Sequence, residues 1–477
     1  MTPTDAPATG DGGEGGIVVD DLDAGKRVYE SVKTSLIFSG EGLFWKDTNS
    51  LWITDKARIL SKLKIIVAFK GFCKENAKGE RVPYSGNHVN MMNVAKIVMD
   101  LARSNPDHKW IGNWTSSSVG KLLFNNGYQD FASGRFVSRD SDEFDESIVF
   151  NEIADYDFRR CEDLAYLEHV DDVIFNDALG CEVGQYTKQK IAKALAGQRT
   201  KRASVLFGIG EGDAGKSLMG VALHECAGGY VGDFNGNNLR VKKMESNDEA
   251  SALRWVGLLR NKRIIISQEL GMGSKINGEI LKKLTGGDRL VARDLYQAEK
   301  AFNFNGMLMV YCNDAPQIVP YDKAVANRVR VLPYEFGFTD NPSGMFEKQR
   351  DEKLEMEVRT SAFKCALVTV LFDSYNAETI ADDIPCTIES AKDQFESETG
   401  NIMETIAGSF EISGDAQDFL PSQNIAGLFS KEISPKKVSI EINKYCTSKG
   451  IENVKSTVKK VCGKSTRGWS GIKELGF

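Results

Sequence analysis

The stretch Gly210-Glu-Gly-Asp-Ala-Gly-Lys-Ser217 decides the fold class of this 477-residue chain. It matches the pattern G-x-x-x-x-G-K-[S/T] at every defined position. An apolar run, Val205 to Phe207, precedes it, and a helix-like run, Leu218 to Cys226, follows. Strand, loop and helix in this order let successive backbone N–H groups converge on phosphate oxygens at a helix N-terminus, where the partial positive charge lies. The stretch therefore predicts a phosphate-binding loop in an α/β protein.

The side chains of this loop also predict its ligands. Lys216 is expected to contact the β- and γ-phosphates of a nucleoside triphosphate, and the Ser217 hydroxyl is expected to ligate Mg²⁺. The residues predicted to hold the phosphates are Gly210, Glu211, Gly212, Asp213, Ala214, Gly215, Lys216 and Ser217.

A phosphate-binding loop needs a carboxylate on a neighbouring strand, to hold Mg²⁺ and to polarise the attacking water. The run Arg263-Ile-Ile-Ile-Ser-Gln-Glu269 supplies one, and Glu269 lies 53 residues after Lys216. Because Gln268 occupies the preceding position, this run contains a single acid. Glu269 is therefore expected to serve both as metal ligand and as base, unless another residue shares the task.

Two further polar positions follow the next apolar run, Met307 to Tyr311. Asn313 ends that run and is predicted to hold the water or the γ-phosphate by hydrogen bonds. Arg328, fifteen residues later, is a candidate arginine finger, a charge worth about 10³–10⁵ in rate. Arg330 is the second candidate. Short apolar runs bounded by polar residues predict buried parallel strands that helices cover on both faces.

Taken in order, these residues resemble the superfamily 3 helicases, and among them the poxvirus-type and phage/plasmid primase-helicase NTPases of large DNA viruses and mobile elements. The resemblance is strong from about residue 203 to 335 and partial from about 382 to 477. The motifs that carry it are Gly210–Ser217, Glu269, Leu284-Thr-Gly-Gly-Asp288 with Arg293, Asn313-x-x-Pro316 and Arg328.

The resemblance implies an AAA+ ring ATPase, a hexamer, which uses ATP and Mg²⁺ to translocate on single-stranded DNA and to unwind forked DNA. It also implies that the protein acts during viral or mobile-element replication, with a primase or polymerase as partner. In that scheme Lys216, Ser217 and Glu269 lie on one subunit and Asn313 acts as sensor. Arg328 would reach into the neighbouring subunit's site.

The resemblance also implies a set of DNA contacts. The segment Leu290 to Phe304 resembles the family's hairpin, with its tip, Gln297 to Lys300, in a central channel. Lys300, with Lys282 or Lys283, would then contact the phosphate backbone without reading the sequence. The alternative reading of these lysines is that they are ordinary solvated charges.

Charge is distributed unevenly along the chain. The whole chain carries a net −7, but residues 430–477 hold ten Lys and one Arg against four Glu, a net of +7, so residues 1–429 carry −14. The overall charge excludes a uniformly basic coat protein, and the basic end favours contact with nucleic acid. This end is predicted to form helices over Ser434–Ser448 and Asn453–Val461 and then a Gly/Trp hairpin over Lys464–Phe477. Trp469 is expected to anchor that hairpin, with stacking on a base as the alternative.

The fold class predicted is α/β, with an AAA+ P-loop core, a mainly helical N-terminal region and a C-terminal winged-helix-like domain. In the N-terminal region, helical periodicity marks Ala57–Val67 and Met91–Ala102, and beyond the core it marks Lys348–Tyr375. The predicted domains are a disordered acidic Gly-rich tail (1–25), a helicase-associated domain (26–195), the AAA+ domain (196–340), a helical connector (341–411) and a basic winged-helix-like domain (412–477).

Several classes are excluded by composition. No stretch approaches the roughly 18 apolar residues of a membrane span, and the first 25 residues lack the Lys or Arg of a targeting peptide. The nine cysteines are scattered without a C-x-x-C pair, which is typical of a reducing compartment, and the four histidines are isolated. We therefore expect an intracellular protein, in the host cytoplasm or nucleus, without a membrane partner or a zinc site.

Other activities compete with the helicase interpretation. A transporter-type ATPase is disfavoured because Leu284-Thr-Gly-Gly-Asp288 follows Glu269, whereas the transporter signature precedes that acid. The hairpin segment and the basic end disfavour a small-molecule kinase. The alternative that stays open is a noncatalytic ring, a DNA-binding scaffold or loader that uses ATP only for assembly. Residues 26–195 are too short for an added polymerase domain, so no primer synthesis is expected.

Overall fold

The computed structural model describes residues 16–39, 42–84, 87–107, 116–198, 204–241, 249–270, 275–293, 299–375, 383–399, 406–407, 409–428, 435–461 and 463–474. The chain divides into two units, Met1–Phe158 and Arg159–Phe477. The domain boundaries given above stay predictions. Within these ranges, no helix has both the length and the apolar character to cross a membrane.

The first unit mixes helices with small antiparallel sheets. Its helices are α1 (Asp21–Val32), α2 (Lys56–Phe69) and α3 (His88–Ser104). Its strands are β1 (Leu36–Ser39), β2 (Gly42–Lys46), β3 (Trp52–Ile53), β4 (Cys73–Glu75), β5 (Arg81–Pro83), β6 (Lys121–Phe124), β7 (Gly127–Asp130) and β8 (Phe136–Ser138). They pair as β1-β2-β3, β4-β5 and β6-β7-β8. The periodicity correctly predicted α2 and α3, and helices hold more residues of this unit than strands do. The small sheets were not predicted, because their strands are too short to show an alternating pattern.

Helix α1 overturns part of the predicted disordered tail. Asp20 is its N-cap, and the Asp20 carboxylate accepts a hydrogen bond from the Asp23 backbone N–H at 2.8 Å. Acids at this end of a helix satisfy free N–H groups and complement the helix dipole. Val28 and Val32 then bury one face of α1 in the core of the unit. The tail prediction is also wrong before α1, because Ile17 bridges to Cys73 and Val18 is buried. It is therefore wrong from Ile17 onward, and residues 1–15 lie outside the described ranges.

The second unit contains the predicted parallel sheet. Its helices are α4 (Leu164–Asp171), α5 (Asp177–Leu179), α6 (Cys181–Leu195), α7 (Lys216–Ala227), α8 (Glu249–Ala252), α9 (Arg254–Leu258), α10 (Gly278–Gly286), α11 (Lys323–Ala326), α12 (Leu354–Glu357), α13 (Ser361–Asp373), α14 (Cys386–Thr399), α15 (Ser422–Ala426) and α16 (Pro435–Lys449). A π-helical turn covers Asp172–Asn176, and 3₁₀ turns cover Gly228–Tyr230 and Gly236–Leu239.

The strands of this unit form one larger sheet and several small ones. They are β9 (Val205–Ile209), β10 (Val231–Asp233), β11 (Ile264–Ser267), β12 (Lys275–Asn277), β13 (Arg289–Ala292), β14 (Lys300–Asn303), β15 (Met307–Cys312), β16 (Gln317–Val319), β17 (Val329–Pro333), β18 (Gly337–Thr339), β19 (Glu347–Gln349), β20 (Phe410–Glu411), β21 (Phe419–Pro421), β22 (Lys455–Val461), β23 (Lys464–Ser470) and β24 (Lys473–Glu474).

Five strands form the central sheet in the order β10-β11-β15-β9-β17, and every neighbouring pair is parallel. The three apolar runs named from the sequence are β9, β11 and β15, so that prediction is confirmed. Ile265, Val310 and Phe207 are fully buried in its core, and Phe395 of α14 packs on Phe207 with ring centroids 6.0 Å apart. Because all five strands run the same way, their carboxyl ends share one edge, where polar side chains can gather.

The segment predicted as one helix, Lys348–Tyr375, is divided. It starts in β19, which pairs with β18, and continues as α12 and α13. Thr360 ends the first helical turn and caps α13, because its hydroxyl accepts a hydrogen bond from the Phe363 backbone N–H. The helical prediction is thus confirmed for α12 and α13 and wrong for the residues of β19.

The basic C-terminal end is a helix with an antiparallel sheet, β21-β23-β22. Helix α16 is confirmed, but the second predicted helix, Asn453–Val461, is wrong, since Lys455–Val461 is β22. Its Thr457, Val458 and Val461 are β-branched and favour a strand. Strand β23 is likewise not a hairpin by itself, because it lies between β21 and β22. Trp469 is 4% exposed in the core of this region, so its anchoring role is confirmed.

Candidate functional site

The phosphate-binding loop connects β9 to α7, as the sequence predicted. Gly215 precedes α7 with φ +85°, and Asp213 has φ +56°. Such left-handed angles suit glycine and are tolerated by Asp, and they turn the backbone sharply at the helix start. The free N–H groups of the first turn of α7 therefore point into the space beside the loop.

Two glycines of the loop, Gly210 and Gly212, have different surroundings. A Cβ on Gly210 would lie 2.3 Å from the Tyr334 carbonyl oxygen, so no side chain fits there. A Cβ on Gly212 would meet nothing within 4 Å, so this side of the loop is open. The loop is thus held closely by β17 and its following residue on one side and leaves room for a ligand on the other.

Lys216 lies at the centre of the loop and is 9% exposed. Its ammonium donates hydrogen bonds to the carbonyl oxygens of Gly210, at 2.7 Å, and Glu211. Burial lowers the pKa of Lys216. A largely buried cation whose hydrogen-bond partners are neutral carbonyls is suited to a polyanionic ligand.

The sheet brings Glu269 and Asn313 to the same edge as the loop. Asn313 directly follows β15, which lies between β9 and β11, and Glu269 is the second residue after the end of β11. Both side chains are exposed and line one cleft of about 720 Å³ together with Gly212 to Ser217. The predicted hydrolytic residues Lys216, Ser217, Glu269 and Asn313 are therefore gathered in one place.

Gln268 also lines this cleft, in the position before Glu269. Its side chain lies over α7, since a Cβ on Gly220 would be 2.2 Å from Gln268 Nε2. A neutral amide thus packs against α7 at the position before the acid. Two carboxylates that follow strands of the sheet line the cleft at this edge. Glu269 follows β11, and Asp314 follows β15.

The far wall of the cleft comes from a segment that the sequence did not identify. Phe338 of β18 donates its backbone N–H to the Asp213 carbonyl at 2.9 Å. Arg350, just after β19, places Nη2 3.1 Å from Asp213 Oδ2 and donates to the Phe338 carbonyl. Arg350 is 41% exposed and lines the cleft with Asp351. No motif marks these residues, because their contact with the loop depends on the pairing of β18 with β19.

One part of the lining is apolar, which suits a flat heterocycle more than phosphate. The side chains involved come from the π-helical turn, α7, β18 and α12; they are Val173, Leu218, Val221, Phe338 and Leu354. The cleft therefore combines a polar, glycine-rich end with an apolar surface.

Arg328 and Arg330 lie elsewhere. The Arg328 carbonyl accepts a hydrogen bond from the Val205 N–H at 2.8 Å, so Arg328 lies at the amino end of β9, opposite the loop. The Arg328 guanidinium donates to the Ala324 carbonyl, while its Nε has no acceptor among the described residues. Arg330 is in β17 and 8% exposed. Neither arginine lines the cleft of its own chain.

The Thr-Gly-Gly-Asp motif has a structural task. Thr285 is buried in the last turn of α10, and Gly287 ends that helix with φ +84°. Asp288 is followed by β13, which pairs antiparallel with β14, Leu290 opposite Phe302. The predicted hairpin is thus confirmed.

The lysines predicted to bind DNA have unequal surroundings. Lys300 begins β14 opposite Ala292 and is exposed. Lys282 is held by Glu279 at 2.7 Å and Asp322 at 2.9 Å. Lys283 lies beside it in α10. The predicted tip, Gln297 to Lys300, falls outside the described residues except for Glu299 and Lys300.

Comparison with known proteins finds similarity to three viral proteins. No protein-family model matches it. It is 29% identical over 392 residues to "Putative helicase V13" of Sputnik virophage, covering 80% of this chain and 48% of that protein. It is 28% identical over 283 residues to "Putative helicase 184R" of Invertebrate iridescent virus 6, covering 53% of this chain and 28% of that protein.

A third relative is "Putative helicase 022R" of Frog virus 3, 33% identical over 137 residues, which cover 28% of this chain and 14% of that protein. The chain spans about half the length of the first of these relatives, or less for the other two. It is therefore similar to part of each of three viral proteins whose names call them helicases.

Among solved structures, the chain is similar to two apo structures of the NrS-1 C-terminal region. Each is 11% identical and covers 67% of this chain and 77% of that one, with TM-scores of 0.36 and 0.35.

Proposed function

We propose that this chain is the motor region of an ATP-dependent replicative DNA helicase of the superfamily 3, AAA+ type. The observation that carries the proposal is the single cleft that gathers the phosphate-binding loop, Glu269 and Asn313 at the carboxyl edge of a parallel sheet. The similarity to viral proteins named as helicases supports it. The proposed setting is the replication of a viral or mobile-element genome inside the host cell.

The cleft fits a nucleoside triphosphate with Mg²⁺. The open side of the loop at Gly212, the first turn of α7 and the Lys216 ammonium provide donors for phosphate oxygens. The Ser217 hydroxyl and the Glu269 carboxylate, which both line the cleft, are oxygen ligands of the kind that Mg²⁺ prefers. When bound, the metal would neutralise charge on the β- and γ-phosphate oxygens.

The chain's own residues divide the remaining work. Glu269 would accept a proton from the attacking water, and Asn313 would orient that water or the γ-phosphate through its side-chain amide. The apolar lining, with Leu218 and Phe338, would hold the base and exclude water from one side of the cleft. These roles require the ligand to lie along α7, with its phosphates at the loop.

Arg328 would complete the site of a neighbouring subunit in a ring, which we propose to be a hexamer. This follows from its position at the edge of the sheet opposite its own cleft.

DNA would be held by two basic parts of the second unit. The first is the β13–β14 hairpin with Lys300, together with Lys282 or Lys283 on α10. The second is the hairpin of β22 and β23, which exposes Lys460, Lys464 and Arg467 beyond the Trp469 core. Cations on exposed hairpins contact phosphates without reading the sequence.

The test is ATP hydrolysis with and without single-stranded DNA, and unwinding of a forked duplex. We expect DNA to stimulate hydrolysis by the unchanged chain. Lys216→Ala should abolish hydrolysis and unwinding, and Glu269→Gln should slow hydrolysis about 10²–10⁴-fold while ATP still binds. Lys26→Ala, an exposed lysine on α1, is the matched control and should behave as the unchanged chain.

The assay also separates the alternative function. Hydrolysis without DNA stimulation and without unwinding would refute the helicase proposal. ATP-dependent assembly that survives Glu269→Gln, with no turnover in any form of the protein, would favour the scaffold or loader.

A further inference from the structure

Helix α2 in the first unit is strongly basic. From Lys56 to Lys74 the sequence contains six Lys or Arg and no Asp or Glu, within a part of the chain (residues 1–429) that is acidic overall. None of the motifs above lies in this helix. A local excess of cations on an acidic chain indicates an anionic partner.

One face of α2 is used by the core of its unit. Ile59, Leu63 and Val67, spaced by four residues, are fully buried. On the opposite face, Arg58, Lys62, Ile65 and Phe69 follow one another at spacings of four, three and four residues. These spacings place the four side chains in one row along the helix surface, which we call the α2 stripe.

The apolar half of the stripe is unusually exposed. Ile65 is 55% exposed and Phe69 is 75% exposed, although both are large hydrophobic side chains. They are one turn apart, so together they form a small apolar surface at the C-terminal end of the helix. An exposed aromatic ring beside cations is the combination that stacks nucleic-acid bases while neighbouring charges hold the backbone.

The cationic half of the stripe is not neutralised within the protein. On helix α1 of the same unit, Arg27 pairs with Asp23 and Lys33 pairs with Glu30. By contrast, neither Arg58 nor Lys62 makes an ion pair or side-chain hydrogen bond with any other residue that the structure describes. Their charges are therefore available to an external anion.

We propose that the α2 stripe is a binding site for single-stranded nucleic acid. Arg58 and Lys62 contact successive phosphates, and the Phe69 ring stacks on a base, with Ile65 packing beside it. Contact with a base face and with phosphates tolerates any sequence. The site goes beyond the proposed function, since it lies in a different unit from the nucleotide cleft and binds without ATP.

A lipid surface is the weaker occupant. A helix that lies in a membrane interface presents a continuous apolar face to the acyl chains. In α2 that face, Ile59 to Val67, is already buried in the protein. The two exposed apolar side chains, Ile65 and Phe69, lie at one end of the helix. The other side chains on its exposed face are basic or small.

The aromatic contact is tested by the anisotropy of a labelled single-stranded oligonucleotide, titrated with the full chain in the absence of nucleotide. Phe69→Ala should weaken binding at least about fivefold, because stacking on one base is lost. Phe69→Trp should bind as well as the unchanged chain or better. Val89→Ala, which removes exposed apolar surface from α3, is the matched control and should leave binding unchanged.

The cationic contact is tested by salt dependence. Replacing both cations, Arg58→Gln with Lys62→Gln, should lower the slope of log affinity against log salt by about 1.4, since each lost phosphate contact contributes about 0.7. The control removes two exposed cations from α1 and α3, Lys26→Gln with Lys96→Gln, and should leave the slope unchanged. ATP hydrolysis without DNA should be the same in all these variants, whether or not the cleft is a motor site.

Three outcomes would overturn the proposal. The first is unchanged oligonucleotide affinity and salt slope in both stripe variants. The second is that the stripe variants lose binding to phosphatidylserine vesicles while their oligonucleotide binding stays intact, which would make α2 a membrane-surface helix. The third is altered sedimentation with intact oligonucleotide binding, which would make the stripe an interface between copies of this chain.

Discussion

The carboxyl and amino edges of the five-stranded parallel sheet differ in what they carry. At the carboxyl edge, the phosphate-binding loop, Glu269 and Asn313 share one cleft. At the amino edge lies Arg328, whose carbonyl accepts the first N–H of β9. The length of β9, five residues, separates the two edges by about 13 Å. The chain thus collects the residues of its own cleft and holds the candidate finger away from it.

The largest expected effect concerns that arginine. If Arg328 serves a neighbouring cleft, Arg328→Ala should reduce ATP turnover by about 10³-fold or more. Mixing this variant with Lys216→Ala should restore part of the turnover, because some interfaces would pair an intact loop with an intact arginine. The measurement is steady-state hydrolysis of each variant and of their mixture at constant total protein.

A cation on the adjoining helix is the control for Arg328. Lys323 of α11 is exposed at the same edge, and Lys323→Ala should leave turnover unchanged. Two results would contradict the proposed role of Arg328 in a neighbouring cleft. One is full turnover by Arg328→Ala, and the other is a mixture of the two variants that is no more active than each variant alone. In the first case Arg330→Ala should be examined next, with its stability, because that side chain is buried in β17.

A smaller effect, on DNA binding, is expected from the β13–β14 hairpin, which leads into the amino edge of the sheet. Strand β14 ends three residues before β15 begins, so this hairpin belongs to the Arg328 side of the sheet. Lys300→Ala should lower the salt slope of DNA binding by about 0.7, the contribution of one phosphate. Lys282→Ala should leave the slope unchanged, because Glu279 and Asp322 already neutralise that side chain.

Salt titrations of both variants against the same oligonucleotide distinguish the two lysines. Equal slopes for Lys300→Ala and the unchanged chain would place the DNA contact elsewhere. A lower slope for Lys282→Ala would mean that its ion pairs open when DNA binds.

The residues whose place in the fold could be predicted from the sequence are those with a local signature. The loop is recognised by eight adjacent residues, and Glu269 and Asn313 each follow an apolar run that becomes a strand of the sheet. Parallel strands then bring the two polar ends together without further information. The β13–β14 hairpin was expected from the family resemblance of Leu290 to Phe304, and the pairing of Leu290 with Phe302 agrees with it.

What failed depended on contacts between distant segments or on an ambiguous pattern. Helix α1 was missed because its acids, which cap the helix, have the composition of a solvated tail. The sequence of β22 indicates a helix because its lysines hide the alternation of side chains that its pairing with β23 requires. Arg350 was missed because nothing near it in the sequence relates it to Asp213, 137 residues earlier.

The smallest expected effect tests whether Arg350 belongs to the chemistry or only to the shape of the carboxyl edge. It bonds the Asp213 carboxylate and the Phe338 carbonyl, so we expect it to position the loop. Because this ion pair is partly exposed, Arg350→Ala should raise the KM for ATP up to about fivefold and leave kcat nearly unchanged. Arg135→Ala, which breaks an exposed pair with Glu143 in the first unit, should change neither constant. A fall of 10²-fold or more in kcat would instead mean that Arg350 stabilises charge on the transferred phosphate. The carboxyl edge would then hold an arginine of its own, and the need for Arg328 from a second copy would disappear.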